Sequence, residues 1–243
     1  MKLGILQCDD VRPELVGKHG NYPTMIQHLL SDVGFPCEFS TYQVHNNEFP
    51  DHVTACDGYI TTGSRFSAYD DLPWIRLLEA FFLQIAETNI PIVGICFGHQ
   101  VMAQALGGQV AKATNGWGVG IYQNDILLKA NWMEPAQSTL SLVASHQDQV
   151  IHLPSDATHV GGSAFCPNYM ALYKENMLGI QGHPEFSIDY GRDLLTCRID
   201  VVPEQVMKKA LASFSDKEDS RVCAQWIMSF FSEFKRTIYS KLY

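Results

Sequence analysis

The sequence predicts an α/β protein: a doubly wound, mostly parallel central sheet, helices on both of its faces, and an antiparallel extension at one edge. Three observations carry this. Over the first hundred residues, short apolar runs alternate with segments of helical spacing in the order βαββαβα, the pattern of parallel strands joined by crossover helices. From Gly108 to about Tyr173 the texture changes to short β-like runs separated by Gly, Asn, Asp and Pro, the pattern of antiparallel hairpins. A further apolar run at Met177–Gln181 then precedes three helical stretches.

Taken in order, Lys2–Cys8 is a first buried strand. Pro13, Gly17 and Gly20 after it are loop signals. Met25, Ile26, Leu29, Leu30 and Val33 recur at helical spacing, and Gly34 and Pro36 stop that helix. Cys37–Val44 and Tyr59–Thr62 are the second and third strands, the latter running into Gly63-Ser64-Arg65. Pro73 opens a helix at its first turn, with Trp74, Leu77, Leu78, Phe81, Phe82 and Ile85 as its apolar face. Ile90–Ile95 is a buried strand and Val101–Leu106 a helix closed by Gly107-Gly108. The hairpin region offers β-like runs at Gln109–Ala113, Gly118–Gln123, Ile126–Lys129, Val150–Leu153, His159–Phe165 and Met170–Tyr173. Helices follow at Tyr190–Ile199, Pro203–Phe214 and Val222–Tyr239. With no repeat and no linker composition, residues 1–243 are expected to form a single domain, its core over about 1–200 and C-terminal helices over about 203–240.

The stretch that organises the chemistry is Gly94-Ile95-Cys96-Phe97-Gly98-His99-Gln100. A strand, a tight Gly-x-Cys-x-Gly turn and a helix are the context of a nucleophile elbow, in which the turn residue stands clear of the sheet at a helix N-terminus. Thiols in that position ionise more readily, and the amide of Phe97 points where an oxyanion would form. The competing reading is a buried cysteine packed as a small hydrophobe.

Composition narrows the rest. Net charge is −9 with 17 Lys and Arg and no basic run, which argues against nucleic acid and anionic membranes as partners. Seven scattered cysteines without CxxC pairs argue against a disulfide framework and for a reducing compartment. No apolar run reaches membrane-spanning length and no signal-peptide core opens the chain, so a cytoplasmic protein is expected. No Cys or His spacing matches a zinc site, and no cofactor is expected.

A thiol nucleophile needs a base, and the base an orienting group. Of nine histidines, His183 stands at a strand end in Gly182-His183-Pro184-Glu185, and the i, i+2 spacing lets Glu185 reach the same imidazole. His99 and His146 are the rivals. His99 follows the elbow on its helix and is expected to point away from Cys96 or pack in the core, and His146 lies in Ser145-His146-Gln147-Asp148.

These motifs together resemble the class I, triad-type glutamine amidotransferases, in particular the amidotransferase domain of GMP synthase and its stand-alone relatives. The likeness rests on the elbow, on Ser145-His146-Gln147-Asp148 and on Gly182-His183-Pro184-Glu185, in the family's order, over roughly residues 1–190. It implies a flavodoxin-like fold and a set of roles. Cys96 would attack the γ-carboxamide of glutamine, His183 would carry the proton to the leaving ammonia, and Glu185 would orient His183. Gly63, Ser64 and Phe97 would supply the oxyanion hole; Gln100, Ser145, His146 and Gln147 would hold the α-amino and carboxylate ends of the substrate. Two positions depart from the family pattern, Ser64 and Gln147, where glycine is common. With no GxxxxGK[ST] and too few residues after Glu185 to hold an ATP-binding half, ammonia would either pass to a separate synthetase or not be the point of the reaction. Three functions follow in order: a glutamine amidotransferase or glutaminase-type hydrolase acting on a small-molecule substrate, a γ-glutamyl peptidase with the same triad, and a non-catalytic regulatory subunit. For the peptidase, Ser64, Arg65, Phe66 and Tyr69 form a flexible-looking loop on the leaving side, where Arg65 is either a receptor for a peptide carboxylate or a solvated charge.

Overall fold

The computed structural model describes residues 1–240. Eleven strands and seven helices follow one another as β1 (Lys2–Leu6), α1 (Pro13–His19), α2 (Tyr22–Ser31), β2 (Glu38–Tyr42), β3 (Gly58–Thr61), α3 (Pro73–Ala86), β4 (Ile92–Ile95), α4 (Phe97–Ala105), β5 (Gln109–Lys112), β6 (Gly118–Ile126), β7 (Thr139–His146), β8 (Asp148–His152), β9 (Thr158–Gly162), β10 (Met170–Lys174), β11 (Met177–Ile180), α5 (Ile188–Thr196), α6 (Glu204–Ser213) and α7 (Ser220–Ser240).

Nine strands form one sheet in the order β2-β1-β3-β4-β11-β10-β9-β6-β7, and β5 pairs with β8 as a separate ribbon. β2, β1, β3, β4 and β11 are parallel, and β10, β9, β6 and β7 extend them antiparallel. Strand alternation divides the core between the two faces. Leu3 and Ile5 of β1 pack with Ile26 and Leu30 of α2 and with Trp226, Ile227 and Phe230 of α7. Leu6, Tyr59 and Ile92 face the other way, onto Trp74, Leu78 and Phe82 of α3 and Val101 and Met102 of α4. Each large apolar side chain removed from water in these layers contributes about 1.5–3 kcal/mol. Among the described residues no helix is long and apolar enough to cross a membrane.

Several elements differ from the sequence reading. Pro13 and Gly20 mark a helix rather than a loop: Pro13 sits in the first turn of α1, and Gly20, at φ 76°, caps its end. The runs at Gly118–Gln123 and Ile126–Lys129 are joined into one strand ending at Ile126, with Asn124 buried inside it. Strand β7 was not anticipated; its serines interrupt the apolar run, and its eight-residue register against β6, from Gly118 opposite His146 to Asp125 opposite Thr139, is what makes it a strand. Leu77 is half exposed, whereas Trp74, Ile75, Leu78, Phe81, Phe82 and Ile85 form the buried face of α3.

One further pairing brings the two halves of the sheet to a common point. Val143 of β7 bridges His183, whose N–H donates to the Val143 carbonyl at 2.8 Å. The antiparallel extension therefore curls back, and its Ser145-His146 end returns to the carboxyl ends of β4 and β11, where open α/β sheets place their ligands.

Candidate active site

Cys96 occupies the single residue between β4 and α4. Its backbone lies at φ 49°, ψ −95°, a conformation that L-residues rarely adopt and that typically costs about 1–3 kcal/mol. Hydrogen bonds hold it there: its N–H donates to the Ile180 carbonyl at 2.8 Å, and its carbonyl accepts from the Gln100 N–H at 3.1 Å. The flanking glycines make the turn possible. A Cβ on Gly94 would stand 2.7 Å from the Gly98 backbone, and one on Gly98 would run into Thr61. The Phe97 amide lies in the first turn of α4, where no intrahelical acceptor exists. Its ring turns into the core beside Trp74, with centroids 5.4 Å apart.

Opposite the elbow, the turn after β11 presents His183. Its Nδ1 lies 2.8 Å from Glu185 Oε1, which leaves Nε2 to face the cleft. Both side chains are buried, and the Glu185 Oε2 atom has no hydrogen-bond partner. Phe186 stacks on the imidazole at 3.9 Å and 7° and so fixes the ring plane. Burial pulls His183 toward the neutral form, but the charge on Glu185, together with the charge and hydrogen bond of Cys96, outweighs it and raises the pKa above the usual histidine value. Gly63 approaches from the third strand; a Cβ there would stand 2.7 Å from His183 Cε1, so this position admits no side chain while the ring keeps its place.

The other expected residues divide by surroundings. Gln100 donates through Nε2 to the Asp148 carbonyl at 2.8 Å and to Gln181 Oε1 at 3.2 Å, which leaves only its carbonyl oxygen for a ligand. His99 is a core histidine, satisfied by the Asn168 carbonyl and the Tyr173 hydroxyl, each at 2.9 Å. Burial lowers its pKa to about 4, and lowers that of His146 to about 3, with the charge of His183 adding to the effect on His146. Both stay neutral when folded but take up a proton near pH 6.5 when unfolded, so stability is lost as pH falls below 6.5. Each contributes up to about 1.4 kcal/mol per pH unit down to its folded value. Urea titrations at pH 7 and pH 5 should show a smaller pH-dependent loss for His99→Gln than for wild type; an equal loss would contradict the assignment.

Three contributors carried no sequence signal. Gln181, fully buried at the end of β11, donates to Cys96 Sγ at 3.4 Å. Asp9, after β1, pairs with Arg65 at 3.0 Å and accepts from the Arg65 N–H at 2.9 Å. Arg198, just beyond α5, donates to Ser145 Oγ at 2.6 Å and covers the Trp117 ring at 5.1 Å. A residue at the far end of a helical segment does not show in sequence which distant cleft it closes. The loop over the site is tied down rather than loose: Ser67 and Tyr69 donate to the Asp148 carboxylate at 2.6 and 3.1 Å, and Phe66 packs edge-on against Trp74.

The cleft has two lobes. One, of about 450 Å³, is lined by Cys96, Gln100, His146, Gln147 and Lys112. The other, of about 210 Å³, is lined by Gly63, His183, Phe186, Asp9 and Tyr22. Ser64, Arg65, Ser145, Arg198 and Arg12 border both. A thiol at a strained turn, an imidazole held by a buried carboxylate and amides at a helix start are the parts of acyl transfer through a covalent intermediate.

Known proteins resemble this chain in sequence and in fold. The chain is 32% identical over 191 residues to gamma-glutamyl peptidase 4 of Arabidopsis thaliana, covering 76% of this chain and 74% of that one. It is 30% identical over 191 residues to the glutamine-hydrolysing GMP synthase of Streptococcus pneumoniae, covering 76% of this chain but 35% of the synthase. The crystal structure of a glutamine amidotransferase from Thermotoga maritima superposes with a TM-score of 0.76 at 18% identity, covering 94% of this chain and 98% of that one. The family model for class I glutamine amidotransferases matches residues 18–196, and the chain belongs to that family.

Proposed function

We propose that the chain hydrolyses the γ-amide of a γ-glutamyl compound through a thioester on Cys96, and that γ-glutamyl peptides are better substrates than glutamine. This reverses the order of the two enzymatic readings drawn from sequence. The observation that carries it is the second lobe: beyond His183 the cleft continues for about 210 Å³, more space than ammonia needs. The relatives include several named gamma-glutamyl peptidases, in keeping with this choice.

In this reading Cys96 Sγ attacks the γ-carbonyl carbon while His183 Nε2 takes the thiol proton. The oxyanion is met by the amides of Phe97 and of the Gly63-Ser64 turn; losing one such donor typically costs about 3 kcal/mol of barrier. His183 returns the proton to the departing nitrogen, the C–N bond breaks, and the free amine leaves through the smaller lobe. Water, deprotonated by His183, then attacks the thioester; glutamate is released and the thiol is restored. Glu185 keeps Nδ1–H paired throughout, so Nε2 alone exchanges protons. Gln100 Oε1 and the Ser145–Gln147 segment receive the α-amino and α-carboxylate groups.

The test compares kcat/KM on glutamine and on γ-glutamyl dipeptides, with a glutamine-like electrophile as active-site label. The dipeptides should turn over faster, and the label should go to Cys96. Cys8, Cys166 and Cys223 should stay unlabelled, because burial keeps each thiol protonated, Cys166 with its pKa pushed up to about 12. Turnover of glutamine alone would overturn the peptidase preference and leave an amidotransferase that supplies ammonia to a separate synthetase. Labelling elsewhere with Cys96 inert would overturn the mechanism.

A further inference from the structure

Three arginines border the cleft, and their charges are not equally engaged. Arg12 pairs with Glu14 at 2.7 Å and Arg65 with the buried Asp9 at 3.0 Å. The Asp9 partnership removes Arg65 as the ready receptor for a carboxylate. Arg198 is different: among the described residues no carboxylate lies within 4 Å of its guanidinium. What it touches is neutral, the Ser145 hydroxyl and the face of Trp117. The side chain is largely enclosed, and burial draws its pKa below the ordinary arginine value.

Nothing in its setting suggests a stray surface charge. The Arg198 N–H donates to the Leu195 carbonyl at 3.0 Å, and its carbonyl accepts from Val201 and Val202, each at 3.0 Å, so the backbone is pinned in a turn. Trp117 and Ser145 hold the other end of the side chain. A guanidinium fixed at both ends, partly stripped of water and lacking a counter-ion offers its remaining N–H groups as a preformed carboxylate receptor.

We propose that Arg198 binds a carboxylate carried by the leaving amine, making the enzyme selective for γ-glutamyl amino acids over γ-glutamyl amides with a neutral leaving group. This rests on the hydrolytic reading above and specifies its leaving side. Proton delivery requires the scissile nitrogen to meet His183, which lines the smaller lobe and not the larger. Cys96, Gln100 and Lys112 line the larger lobe and not the smaller, so the glutamyl arm, whose α-carboxylate is three carbons from the reacting carbonyl, extends that way. Arg198 stands on the wall between them, close enough to Cys96 for the two charges to interact. An α-carboxylate on the leaving amine begins one carbon beyond the scissile nitrogen, at the same dividing wall.

The experiment compares γ-glutamylglycine with γ-glutamylglycinamide, which differ only in that carboxylate, on wild type, Arg198→Gln and Arg198→Lys. Wild type should prefer the carboxylate by about tenfold or more in kcat/KM, largely through KM. Arg198→Gln should bring the ratio close to one, and Arg198→Lys should restore part of it. A wild type without preference overturns the inference. So does an Arg198→Gln enzyme that keeps the preference, or one that loses both substrates in equal proportion, which would place Arg198 on the glutamyl side or in the fold. Turnover of both substrates without discrimination removes this inference alone, whereas turnover of neither removes the hydrolytic reading with it.

Discussion

Cys96→Ala should abolish turnover of every γ-glutamyl substrate, by roughly 10⁴-fold or more, with the fold retained. The removed atom is the only one on the elbow able to form the acyl bond, and no neighbour is placed to replace it. Gln181 presents an amide N–H to Sγ, not a nucleophile, and Cys166 is a buried, protonated thiol. Alanine carries the same backbone penalty at φ 49° as cysteine, so stability should change little beyond the lost contacts of one small, 5%-exposed side chain. Substrate affinity should survive, because Gln100 and the Ser145–Gln147 segment are untouched. Calorimetric binding of γ-glutamylglycine to the inert variant would show this. Residual activity within tenfold of wild type would remove Cys96 as the nucleophile.

His183→Ala is expected to cost about 10²–10⁴-fold in kcat, since in the proposed mechanism one imidazole serves both formation and breakdown of the thioester. Neither rival replaces it: His99 spends both ring nitrogens on Asn168 and Tyr173, and burial pulls the His146 pKa down to about 3, which makes it a weak proton acceptor. Glu185→Gln should cost less, because its amide oxygen still accepts from Nδ1–H. It should also move the pH–rate profile in a fixed direction. The negative charge on Glu185 is one of the causes raising the His183 pKa, so removing it disfavours the imidazolium and lowers that pKa. The limb of the profile that reports His183 should therefore shift to lower pH in Glu185→Gln. An unmoved limb, or a larger loss from His99→Ala or His146→Ala at equal fold stability, would mean that the base is another group.

The two halves of the site differed in how far they could be read from sequence. The elbow is local: Gly94, Cys96 and Gly98 lie within five residues, and the steric demand that joins them acts over one turn of chain. His183 and Glu185 are equally local, two residues apart on an extended segment. Such signals survive in sequence because the covalent chain supplies the proximity. The substrate side is assembled from β7, the segment after α5, and the loop between β3 and α3, and here the reading was weaker. It has no counterpart for β7, and the Ser145-His146 pair it singles out by motif lines the cleft. It left Arg65 open as either a carboxylate receptor or a solvated charge, because the partner that engages it, Asp9, lies 56 residues away along the chain.

The amino-acid sequence by itself determined the layered α/β architecture, the strand–turn–helix around Cys96 and the pairing of His183 with Glu185. Each is specified by periodicity, glycine placement or short spacing, interactions whose entropy of closure is small. Tertiary structure alone decided that β7 curls back to bridge His183, that Gln181 reaches the thiol, and that Arg65 is paired with Asp9 while Arg198 has no carboxylate within 4 Å among the described residues. Charge pairing is a matter of which acid happens to lie within about 4 Å. For side chains brought together from β1, the loop after β3, β7 and the end of α5, that distance is set by the packing of the whole sheet.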